Sequence, residues 1–272
     1  MFPAFFASSD AQPLAPQTLI HLGPLPFTNS MLFGLIGAVF VLGLFGLAAR
    51  ASRLWPKSRL AFTIETLVDV VFGLMEETFG DRKKAMKHFP LLFTLFVFIL
   101  INNLSGLLPG VDTITLTVAG VKVSLFRSWT TDLNATLAMA IISLSTVHYY
   151  AVRDIGAKGY VGHFFSGNRK NPMTYFIGLN ELFGEILRLV TLSLRLFGVI
   201  YGGEALLSAI ASLAGNFGWA ATLPVMFLEI FVSLVQAYLF MMLTASYIVM
   251  STSHGESESH EHELAAPAGA KA

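Results

Sequence analysis

Apolar runs long enough to cross a bilayer alternate along this chain with short segments that gather its charge. A helix rising 1.5 Å per residue needs about 20 mostly apolar residues to cross a hydrocarbon core of roughly 30 Å. Residues 31–49, 90–108 and 133–152 fit that length and predict spanning helices. Residues 60–79 differ, because an apolar face alternates with a stripe of Glu65, Asp69 and Glu76 that falls within about 40° on a helical wheel. This pattern predicts an interfacial amphipathic helix, held by protein neighbours rather than by anionic lipid, since its stripe is acidic. Two longer runs, 176–213 and 223–250, are joined by the uncharged turn Gly215 to Thr222. The first would be about 57 Å long, nearly twice the core thickness, so the pair is expected as two long tilted helices forming an antiparallel hairpin. The expected fold is an all-α integral membrane protein of about five membrane helices plus the interfacial one.

The remaining segments frame this membrane domain of residues 31–250. Residues 1–30, rich in Pro and polar side chains and without Lys or Arg, predict an extramembrane arm. The start MFPAFFASSD lacks a basic region and is not read as a cleavable signal peptide. TITLTVAGVKVSL, within Asp112 to Arg127, alternates β-branched residues around Ala-Gly and predicts a hairpin. Thr130 or Thr131 is expected to cap the following helix, with Asp132 in its first turn. Residues 251–272 are small, polar and aperiodic, which predicts a disordered tail.

Composition agrees: 54% of the residues are hydrophobic and 12% charged, the balance of a multi-span protein rather than a soluble core. Equal numbers of basic and acidic residues, 17 each, give no electrostatic footprint for nucleic acid. The chain has no cysteine, which excludes disulfides, thiolate chemistry and Cys-ligated metal. Most basic residues fall in three connecting segments, marked by Arg50, Arg53, Lys57 and Arg59, by Arg82, Lys83, Lys84 and Lys87, and by Arg153, Lys158, Arg169 and Lys170. The positive-inside rule then places the N-terminus outside and the C-terminus in the cytoplasm. No internal repeat is visible, against a transporter built from inverted halves.

Charge inside the apolar runs carries the chemistry. NELFGEILRLVTLSLRLFGVIYGGE, residues 180–204, holds Glu181, Glu185, Arg188, Arg195 and Glu204, and a charge at mid-bilayer costs roughly 2.5 to 3.5 kcal/mol. At about 100° per residue the first four share one side, whereas Glu204 points about 180° from Arg195. Along the axis Glu204 lies about 13 Å past Arg195, and Glu181 and Glu185 about 15 to 21 Å before it. In the hairpin, Glu229, Ser233, Gln236, Phe240, Leu243 and Tyr247 share a face of the second helix. Gln236 then comes level with Arg195, and Glu229 nearer Glu204. Two acidic layers separated by a guanidinium that does not give up its proton suit a proton path interrupted in the middle.

Simpler roles compete. Glu181 or Glu185 with Arg188 would form a structural ion pair, and Glu204 and Glu229 could mark the outer interface. Asn102, Asn103, Asp132 and Asn134 fit helix ends and interhelix hydrogen bonds. His148 near a helix end fits the interface, and His254, His260 and His262 lack the HExxH spacing of a metal site. The sequons at Asn103 and Asn134 lie in or beside spans and are discounted. A self-contained secondary ion transporter is the main alternative function and a scaffolding membrane protein the next. An intramembrane protease finds no metal-ligand pair or Ser/His pair at matching depth.

SLRLFGVIYGGE at Ser193 to Glu204 resembles subunit a of the F-type ATP synthase membrane sector. NNLSGLLPG at Asn102 to Gly110, TTDLNATLAMA at Thr130 to Ala140 and LVQAYLFMMLTASYI at Leu234 to Ile248 support the likeness, which samples residues 31–250. The resemblance implies a non-catalytic proton-channel subunit in a bacterial inner membrane, beside a ring of small c-type hairpin subunits with a buried carboxylate. Peripheral-stalk b-type subunits would be further partners, and the ATP-synthesising sector an indirect one. It implies no cofactor; the transported ion is H⁺, with Na⁺ left open. By the same likeness Arg195 is the ring-facing arginine, Glu204 and Glu229 line an outer half-channel, Gln236 packs near the arginine, and Glu181 and Thr191 lie on the inner side, where the sequence also places Glu185. Val199, Gly106 and Glu229 stand where some members have Asn, Asp and His, so a His-dependent outer relay is not expected.

Overall fold

Away from water, every backbone N–H and C=O must find its partner within the segment, and a helix achieves this by itself. The structure, a computed structural model, describes residues 16–22, 25–51, 59–108, 115–118, 121–124, 127–156 and 172–265. Among them run six helices: α1 (Asn29–Ala51), α2 (Arg59–Phe79), α3 (Arg82–Gly106), α4 (Leu133–Ile155), α5 (Pro172–Ala214) and α6 (Gly218–Ala265). All but α2 contain a stretch long and apolar enough to cross a membrane. The chain is an all-α, multi-pass membrane protein. Two antiparallel hairpins accompany the helices, β1 (Thr18–Leu22) with β2 (Leu25–Thr28), and β3 (Thr115–Val118) with β4 (Val121–Ser124).

Successive crossings bring the start of α1, the end of α3, the start of α4 and the turn between α5 and α6 to one end of the bundle, here the hairpin end. The 3₁₀ turn Trp129–Thr131 packs there against α1, α3, α4 and α5. Around the bundle Leu35, Val39, Phe40 and Leu42 of α1 are exposed, as a lipid-facing helix requires. Inside, Met75, Leu92, Ile99, Leu196, Phe240, Met241 and Ile248 are fully buried where α2, α3, α5 and α6 meet. Hydroxyl pairs cross between helices, Ser143 with Thr244 at 2.8 Å and Thr136 with Ser193 at 3.4 Å.

The amphipathic helix α2 forms where the acidic stripe predicts one. Gly80, at φ 64°, turns the chain from α2 into α3, a conformation that glycine adopts without the Cβ penalty. Asp81 then caps α3, its carboxylate accepting from the Lys83 N–H at 2.9 Å.

Several boundaries differ from expectation. The spanning helix expected from Pro90 begins at Arg82, so the basic run is its first two turns and Pro90 lies inside the helix. Asp132, not Thr130 or Thr131, is the N-cap of α4: it accepts from the Asn134 N–H at 2.9 Å, while the two threonines belong to the 3₁₀ turn. The last helix continues past Met250 to Ala265, since the Ser, Glu and His run holds no proline. Residues 1–15 and 266–272, and the loop cations Arg53, Lys57, Lys158, Arg169 and Lys170, lie outside the described residues.

Candidate functional site

Helix α5 is two-faced. Leu192, Ser193, Leu196 and Ile200 are buried against the bundle. On the other side Leu187, Thr191, Leu194, Arg195, Gly198 and Gly202 are exposed at helical spacing. Arg195 makes no hydrogen bond or salt bridge among the described residues, although apolar Leu187 and Leu194 are exposed on the same side of the helix. A Cβ at Gly198 or Gly202 would touch nothing, so the surface beside the guanidinium is open. Thr191, expected on the inner side, turns its hydroxyl back on its own helix, donating to the Leu187 carbonyl at 2.8 Å.

Towards the hairpin end, α5 brings Glu204 next to Gly106 of α3, where its Oε1 lies 3.5 Å from an ideal Cβ built there. Ser128 closes the same spot. One residue earlier, a Cβ on Gly203 would collide with the carboxylate of Glu229, so glycine lets that acid lie against the α5 backbone. Glu229 is 5% exposed, and neither carboxylate oxygen has a hydrogen-bond partner among the described residues. One and two turns further along α6, the same holds for the Ser233 hydroxyl and the Gln236 Nε2. Asn102 and Asn103 on α3 add three more unpartnered polar atoms at this end of the bundle. Burying such atoms dry costs about 1 to 3 kcal/mol each, so their number calls for water.

Behind them Ser30 donates to Asp132 Oδ2 at 2.9 Å, and Arg127, 2% exposed, reaches the Thr131 hydroxyl through Nε at 3.2 Å. Sequence reasoning assigned no role to Ser30 and placed Arg127 at the end of the predicted hairpin segment. The only signal for Arg127 was its closeness to the Ser-x-Thr-Thr-Asp run. Asn134 is exposed and does not join the buried set.

Towards the opposite end, the Arg188 guanidinium donates to Glu185 Oε1 at 2.6 Å and lies over the Tyr247 ring, 4.8 Å from its centroid. Of the two ion pairs the sequence allows, the i,i+3 pair forms. His148 of α4 approaches the free edge of that carboxylate, Nε2 to Oε2 3.7 Å. The sequence reading left His148 at an interface. Glu181 lies on α5 four residues earlier, its side chain outside the described set. In register, the acid clusters lie about 13 Å past Arg195 and about 15 Å before it.

The family model "ATP synthase A chain" matches residues 31–249. Similar relatives include ATP synthase subunit a 2 of Bradyrhizobium sp. (strain BTAi1), 33% identical over 88% of this chain and 95% of the relative. ATP synthase subunit a of Moorella thermoacetica is 30% identical over 86% of this chain and 94% of its own length. That of Desulfotalea psychrophila is 36% identical over 68% of this chain and 70% of its own.

Proposed function

We propose, from the premise that the chain belongs to the ATP synthase A chain family, that it supplies two offset aqueous half-channels separated by Arg195 and faces a ring of small c-type subunits. The observation that carries this reading is the exposed guanidinium on an apolar, membrane-level surface with no partner among the described residues. A charge so placed is stable only if something outside the chain balances it, and a buried carboxylate on a passing ring subunit has the sign and reach to do so. The open surface at Gly198 and Gly202 lets such a helix approach closely.

Glu204 and Glu229, with Ser233, Gln236, Asn103 and Asp132 nearby, form the outer half-channel, and Glu185 and Glu181 the inner one. Protons enter at one acid cluster, neutralise a ring carboxylate, travel with the ring and leave through the other, because the guanidinium bars the direct route. The N-terminal arm then lies outside, the C-terminal tail in the cytoplasm, and the membrane is the bacterial inner membrane. The chain carries no ATP chemistry itself; peripheral-stalk b-type subunits hold it against the ring. At about 100 mV each proton crossing supplies roughly 2.3 kcal/mol, so one ATP needs several.

The test is proton pumping by the complete enzyme in vesicles. Arg195→Ala is expected to abolish coupled pumping while leaving the ring co-purified, and near-normal pumping would refute the assignment. Glu204→Gln is expected to slow uptake from the outer side; an unchanged rate would remove Glu204 from the path. Running the same assay across sodium concentrations identifies the ion, with H⁺ transport indifferent to sodium.

A further inference from the structure

Between Arg195 and Glu204, helix α5 carries one polar side chain, Tyr201. Along the axis it stands about 9 Å past the guanidinium and about 4.5 Å before the acid. Around the axis the helix divides into faces. With Arg195 at 0° and about 100° per residue, buried Leu192, Leu196 and Ser193 span about 60° to 160°. The open face, with Gly202, Gly198 and Leu194, runs the other way from 0° to about −100°. Glu204 stands at about 180°, and the Glu229 carboxylate lies against Gly203 at about 80°, so both acids are off the open face.

A proton from either acid reaches that face across one of two seams. One seam holds Val199, at about 40°, whose side chain has no hydrogen to pass. The other holds Phe197 and Tyr201, at about −160° and −120°, both half-buried.

Tyr201 fits this place. Three and four residues away, its neighbours on the helix surface are Gly198 and Phe197 on one side and Glu204 and Ala205 on the other. Its ring stacks on Phe197, centroids 5.3 Å apart and planes at 11°, so it leans one turn back towards Arg195, the direction helical side chains take. A Cβ at Gly198 would touch nothing, which leaves the open-face side of the ring uncovered. The phenol makes no hydrogen bond among the described residues. A hydroxyl both accepts and donates, so it can take up one hydrogen while giving up another.

We propose that Tyr201 hands protons from the outer acid cluster to the open face of α5, and that Phe197 holds it at the seam. This rests on the half-channel reading above. In each transfer one O–H bond forms at Oη and the other breaks. The proton comes from the Glu204 carboxyl through water and goes to the ring carboxylate opposite the open face, so no co-reactant is needed and the phenol ends as it began. The handover then takes place between the levels of Arg195 and Glu204, on the outer side of the guanidinium.

The experiment uses the complete ATP synthase in inverted vesicles and follows ATP-driven proton pumping. Tyr201→Phe removes the hydroxyl and keeps the ring that stacks on Phe197; it is expected to lower pumping at least about tenfold with the c-type ring still co-purified. Tyr201→Leu, which removes the stack as well, is expected to pump no better. Because the two groups act in series, Tyr201→Phe combined with Glu204→Gln is expected to be no slower than the slower single variant. Wild-type pumping by Tyr201→Phe overturns the proposal even if Tyr201→Leu is slow, since the side chain then serves packing alone. Losses that multiply in the double variant overturn it too, because the groups then act on separate steps. A Tyr201→Phe complex that loses the c-type ring also overturns it, the hydroxyl then being structural. Arg195→Ala is measured alongside: if it pumps, the half-channel reading fails; if it does not while Tyr201→Phe behaves as wild type, only this inference fails.

Discussion

Gly203 shows how much can depend on one missing methyl group. The Glu229 carboxylate lies where a side chain at 203 would be, pressed against the α5 backbone with no hydrogen bond among the described residues. Gly203→Ala is therefore expected to turn Glu229 away from Glu204 and to slow proton pumping by roughly tenfold or more, with assembly of the complex retained. Pumping rates measured against subunit recovery on a gel check this. Glu229→Gln keeps the volume and removes the charge, and is expected to slow pumping without disturbing Gly203. At this scale the sequence singled out candidates where charge was costly: Arg195, Glu204 and Glu229 stand out because an apolar run does not hold ionisable groups without cause. It was silent where a role depends on who the neighbours are. Nothing adjacent in the chain says that Ser30 hydrogen-bonds Asp132, 102 residues away, or that His148 meets Glu185.

Elements were legible in kind and less so in extent. The periodicity of residues 60–79 gave the amphipathic helix nearly to the residue, because a single acidic stripe on an apolar run has few other readings. The start of α3 was missed because Pro90 looked like a boundary, whereas Asp81 caps nine residues earlier and the lysines between form ordinary helical turns. In the same way the threonines at 130 and 131 resembled caps until the 3₁₀ turn moved the cap to Asp132. How α2 is held is a matter of packing. Met75, with 0% exposure, is its anchor in the core shared by α3 and α6. Met75→Ala is expected to cost about 2 to 5 kcal/mol. A lowered melting temperature of the detergent-solubilised complex measures it. Asp81→Ala, which removes the exposed cap of α3, is expected to cost about 1 kcal/mol and so to lower the melting temperature less.

Among the described residues five helices are long and apolar enough to cross a membrane, and under the proposed orientation this odd number sets the two ends of the chain on opposite sides. The absence of cysteine makes this easy to examine, since a single introduced thiol labels without background. Thr18→Cys is expected to react with an impermeant maleimide only from the outside of intact cells, and Gly80→Cys only in inverted vesicles. The reverse pattern would overturn the assigned orientation and exchange the roles of the two acid clusters.

The apolar stretch of α5, Leu182–Ala214, has 33 residues. At 1.5 Å per residue that is about 50 Å, longer than a core of about 30 Å, so under the proposed arrangement part of the excess is taken up by a lean from the normal. The lean couples the depth of Arg195 to its solvent. A thicker bilayer draws such a helix upright and a thinner one lays it flatter, at a modest cost per ångström of hydrophobic mismatch. Under the proposed function, proton pumping is thus expected to be fastest in lipids of one acyl-chain length and to slow on either side, so that the composition of the surrounding membrane tunes the rate.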